Sequence, residues 1–65
     1  MAKTFYRELV AHLRAGGFEH ERYAKGDHEI WSNKAAGKTV TIDRGVKSRH
    51  SANHYLKEAG LKKAF

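Results

Sequence analysis

Five histidines occur in a chain of 65 residues, with no cysteine beside them. Imidazole is the side chain best suited to proton transfer near neutral pH, and without cysteine there is neither a disulfide nor a thiolate metal site. His28 stands out by its setting. It follows Lys25-Gly26-Asp27, a turn signal, and opens the run His28 to Ser32, whose alternation reads as a strand. Glu29 and Trp31 fall on one face of that strand, His28 and Ile30 on the other. With Trp31 in the core, His28 lies on the open face, where an imidazole can act on a substrate as general acid or base. The same position also suits an ordinary half-exposed strand residue, and alternation alone favours that plainer reading.

A second grouping is Lys47-Ser48-Arg49-His50, preceded by Arg44, at the expected start of a helix. A helix N-terminus presents unpaired N–H groups and partial positive charge, so it attracts phosphate, and basic side chains around it add to that pull. Simple capping by Ser48 accounts for the pattern as well. On the same helix His50 and His54 lie four apart, a spacing that can present two imidazoles to one ion. No glutamate separates them, and no Asp or Cys ligand is near in sequence. A surface pair is therefore expected, with no metal and no cofactor.

Thirteen Lys and Arg against seven Asp and Glu give a formal charge of +6. An excess of that size on so small a surface favours an anionic partner: nucleic acid, an acidic protein or a membrane surface. No apolar run is long enough for a transmembrane helix. Met1-Ala2-Lys3-Thr4 leads into a mixed polar pattern and not into a signal-peptide core, so a cytoplasmic protein is expected.

The positioning elements follow from periodicity. Thr4 to Ala15 is helical, with Phe5, Leu9, Val10 and Leu13 on one face, Thr4 as the expected N-cap and Gly16-Gly17 as the stop. Phe18 to Tyr23 reads as a short strand of largely polar alternation, and His28 to Ser32 as the next. Asn33 to Gly37 turns the chain. Lys38 to Ile42 is the clearest strand, with Val40 and Ile42 on one face. After the loop Asp43 to Lys47, a second helix runs from the N-cap Ser48 to Ala59, with Gly60 as the stop and Ala52, Tyr55, Leu56 and Ala59 as its apolar stripe. Leu61 and Phe65 are expected to fold back on the core.

The whole chain, residues 1–65, is thus expected to form one α+β domain: helix, three antiparallel strands, helix. Both helices cover one face of the sheet over a core of Phe5, Leu9, Leu13, Trp31, Val40, Ile42, Tyr55 and Leu56. The other face stays open, a layout suited to a polymer. A chain this short buries only about 60% of its unfolded surface, so the core is marginal.

This order resembles the HicA toxin family, whose fold is similar to a double-stranded-RNA-binding domain. The residues that carry the likeness are a Gly-x-His element opening the second strand, here Gly26-Asp27-His28 within Lys25 to Trp31, together with Val40-Thr41-Ile42-Asp43, Lys47-Ser48-Arg49-His50 and Leu56-Lys57-Glu58-Ala59-Gly60-Leu61. The match runs from Phe5 to Phe65. It implies a metal-independent endoribonuclease acting on messenger RNA, with His28 in the catalytic position. It also implies neutralisation by a HicB-type antitoxin protein. Lys25, Lys47, Arg49 and His50 are the candidates for RNA phosphate contacts.

The chain departs from the more familiar family pattern in two places. Asp27 stands where a small Ser is usual and Glu29 follows His28. A neighbouring carboxylate can favour the protonated imidazole and suit a general acid, or it can repel the RNA backbone. Asp43-Arg44 replaces a Pro and a His after the third strand. Two other readings use the same surface: a non-catalytic RNA-binding module on the open face and basic helix start, and a small interaction protein docking an acidic partner.

Overall fold

In the computed structural model, which describes residues 4–65, the first helix α1 spans Tyr6–Ala15 and buries Leu9, Val10 and Leu13, the three-to-four spacing expected of one face. Thr4 is not its cap. The N-cap is Phe5, which makes no side-chain capping bond. What sets the start is tertiary: the Phe5 N–H donates to the Val46 carbonyl, 2.8 Å away in the loop before the second helix.

The helix ends as Gly16-Gly17 foretells. Gly17 takes φ +93°, and the N–H groups of Gly17 and Phe18 close on the carbonyls of Arg14 and Leu13. Gly16 serves packing instead, since a Cβ there would lie 2.6 Å from a Leu61 methyl.

The strands are β1, Glu19–Tyr23, β2, His28–Asn33, and β3, Lys38–Asp43, in one antiparallel sheet of order β1-β2-β3. The register between β2 and β3 is regular from His28 opposite Asp43 to Asn33 opposite Lys38. Between β1 and β2 it shifts, with His20 opposite Trp31 but Arg22 opposite Ile30, so Glu21 is the extra residue of a bulge.

The second helix, α2, is Arg49–Glu58. Ser48 caps it, its Oγ accepting from the Ser51 N–H at 3.2 Å. Gly60 and Leu61 close its far end on Lys57 and Leu56.

Both helices lie over the sheet face that carries Trp31, Val40 and Ile42, and all three are buried among Leu9, Leu13, Ala52, Leu56 and Ala59. Two core residues lie outside every expected apolar stripe. Phe18 precedes β1, and Val46 sits in a loop that reads as polar, yet both are buried. Phe5 and Tyr55, expected in the core, are only half-buried at its rim. Leu61 and Phe65 do fold back. The Asn53 amide holds this segment, donating to the Phe65 carbonyl and accepting from the N–H groups of Ala64 and Phe65, while the Phe65 ring meets Phe5 and His12 edge-on, centroids 5.6 Å apart in each case.

Candidate functional site

Alternation along β2 sends Glu29 and Trp31 under the helices and leaves His28 exposed on the opposite face, as the sequence requires. The ring is oriented from within its own turn: Nδ1 lies 3.1 Å from the Lys25 carbonyl oxygen. A carbonyl only accepts, so Nδ1 donates this bond, and in the neutral ring the lone pair is then on Nε2. That is the tautomer a general base needs.

The carboxylates near His28 are all engaged elsewhere. Glu29 is only 2% exposed, on the helix side of the sheet. Asp27 accepts from Arg44 twice, from the guanidinium at 3.4 Å and, through its carbonyl, from the backbone N–H at 2.9 Å. Asp43, opposite His28 in the ladder, accepts from the Gly45 N–H at 2.8 Å. An exposed pair such as Asp27–Arg44 adds little stability, but it occupies the Asp27 carboxylate.

Glu29 is the centre of a network that sequence periodicity does not reveal. One carboxylate oxygen accepts from the Tyr6 hydroxyl at 2.8 Å and from the Trp31 indole N–H at 3.1 Å. The other faces His20 Nε2 at 3.8 Å and Arg44 Nε at 4.0 Å. The bulge at Glu21 makes this possible. In a regular strand His20 and Tyr23 would point to opposite faces. Here both lie on the helix side with ring centroids 4.7 Å apart, and the Arg44 guanidinium lies 5.5 Å from the centre of the Tyr23 ring. No local residue signal announces the bulge.

The Tyr6 hydroxyl is pushed up from 10.0 to about 12, chiefly because burial disfavours the phenolate, and further because Glu29 holds its proton and repels the charge. A group whose folded value is raised stabilises the fold fully below the unfolded value and loses that contribution as pH climbs through the folded one. Tyr6→Phe is therefore expected to cost about 1 kcal/mol at neutral pH. The gap to wild type should close between pH 10 and 12. Urea unfolding across that range measures it, and a gap that stays constant would rule out the Tyr6–Glu29 bond as its source.

The expected phosphate-contact residues divide into separate groups. Lys25 is exposed and shares the turn that orients His28. Lys47 is exposed in the loop between Val46 and the α2 cap. Arg49 and His50 line a hollow of about 600 Å³ between α2 and the C-terminal segment, which His28 does not line. The open sheet face itself is not cationic. By register it carries Glu19, Arg22 and Asp43 beside His28, with Arg22 paired to Glu21. His54 turns to Glu58, 3.2 Å away. Among the described residues no three His, Cys, Asp or Glu side chains gather as a metal site would need, and no helix is long and apolar enough to cross a membrane.

The class these features define is a small α-β-β-β-α domain with a half-covered sheet, an oriented exposed imidazole at one strand start and a cationic second helix. Comparison with family models, with curated proteins and with solved structures returns no match.

Proposed function

We propose that this chain is a metal-independent endoribonuclease of the HicA toxin kind, cleaving messenger RNA in the cytoplasm with His28 as general acid–base and neutralised by a HicB-type antitoxin protein. The carrying observation is the His28 imidazole, exposed and held by the Lys25 carbonyl with Nε2 free. The Gly26-Asp27-His28 resemblance supports the same residue, and the formal charge of +6 supports an anionic substrate.

RNA asks little of such a site. Nε2 takes the proton of a 2′-hydroxyl, the 2′ oxygen bonds to the adjacent phosphorus, the bond from phosphorus to the 5′ oxygen breaks, and a proton returns to that leaving oxygen. Lys25, exposed in the turn that orients the ring, is the cation available to offset charge on the phosphate. Lys47, Arg49 and His50 are the residues proposed to hold RNA further along.

A second reading, an RNA-binding module without catalysis, is favoured by one observation: Arg49, His50, Lys57 and Lys63 line a hollow on α2 that His28 does not line. Purified protein incubated with RNA in EDTA separates the two. Cleavage by wild type that His28→Ala lacks supports the enzyme, whereas tight binding by an uncleaving wild type supports the module. Growth arrest on expression, relieved by a co-expressed neighbouring gene product, would support the toxin–antitoxin pairing.

A further inference from the structure

The hollow on α2 is lined by Arg49, His50, His54, Lys57 and Lys63, with Leu61 and Phe65 as its apolar wall. No Asp or Glu side chain lines it; the nearby Glu58 is turned to His54. Its far side is held in place in part by Asn53, which makes three hydrogen bonds to residues 64 and 65. Arg49, Asn53 and Lys57 succeed one another at four-residue steps, as do His50 and His54, so adjacent rows of one helix face supply the cations. Lys63 faces them from the pinned segment.

We infer that this groove is a binding track for the phosphodiester backbone of RNA, separate from the cleavage site, and that Lys57, Lys63 and His54 extend it beyond the start of α2. The inference rests on the reading of RNA as the ligand. Charge complementarity argues for it: three permanent cations and two imidazoles line one hollow of about 600 Å³, a setting that attracts phosphates. Apolar Leu61 and Phe65 give the sugars a surface that excludes water. An acidic protein segment is the competing occupant, and the test distinguishes it.

The experiment compares Lys57→Glu/Lys63→Glu with a matched control, Arg7→Glu/Lys34→Glu, whose residues are exposed and lie outside the groove. Both doubles change the net charge equally. Binding of a fluorescein-labelled single-stranded oligoribonucleotide is followed by anisotropy at several salt concentrations, and cleavage of a dinucleotide substrate is followed separately. The groove double is expected to bind roughly tenfold or more weakly than the control, with a salt slope reduced by about 0.7 for each phosphate no longer neutralised. Dinucleotide cleavage should match wild type, because so short a substrate does not reach the groove. Equal RNA binding by the two doubles overturns the track. A wild type that neither binds nor cleaves RNA would instead remove the RNA reading itself. Circular dichroism of both doubles confirms that neither comparison reflects unfolding.

Discussion

His28→Ala is expected to lower the rate of RNA cleavage roughly 10²–10⁴-fold, the span a positioned general acid–base supplies. Stability should barely change. The side chain is exposed and its one bond is to the Lys25 carbonyl within the same turn, so the cost is about 0.5 kcal/mol, or roughly 2–4 °C in melting temperature for a domain of this size. Loss of activity in a protein that melts normally would mark a chemical role.

The sharpest control is His20→Ala. His20 is the other strand histidine, set beside Glu29 on the helix face and so across the sheet from His28. The two cannot act on one phosphate from opposite faces. Retained cleavage in His20→Ala with loss in His28→Ala supports the assignment. The reverse result would move the catalytic imidazole to the Glu29 network and overturn the role of His28.

What the sequence revealed and what it hid divide along a physical line. Where one interaction within a few residues decides the conformation, the residues state it. Ser48 and Gly60 mark the ends of α2, Gly17 closes α1, and alternation from Glu29 to Trp31 places His28 on the open face. Where a distant segment decides, they do not. The start of α1 depends on a bond from Phe5 to Val46, so Thr4, a good local cap, is passed over. Val46 is buried because it meets that helix start, not because of any pattern in its loop.

The candidate site follows the same division. The turn that aims His28 is local and legible in Lys25-Gly26-Asp27. The Glu29 network requires a bulge at Glu21, a helix residue, Tyr6, and a loop residue, Arg44, to meet at one carboxylate. The groove on α2 requires the C-terminal segment to fold back onto Asn53. Arg49 and His50 are readable as basic residues at a helix start, but their joining with Lys63 is not.

Glu29→Ala should be among the most damaging single changes for stability, at about 3–5 kcal/mol. Two losses add. The side chain is 2% exposed, so its removal leaves a void. The Trp31 indole N–H also loses its acceptor, and at 1% exposure it has no water to turn to. The Tyr6 hydroxyl, only part-buried, can find solvent instead. A domain of 65 residues holds only roughly 3–10 kcal/mol in total, so this one substitution removes a large share. The ranking of variants tests the cause. Glu29→Gln keeps the shape and one oxygen acceptor for Trp31, and should cost least. Glu29→Met fills the space but orphans the indole, and should fall between Gln and Ala. Urea denaturation of the three variants gives the order directly. If Met proves no worse than Gln, the void dominates and the indole bond contributes nothing; if Ala lies within about 0.5 kcal/mol of wild type, the network does not hold the fold.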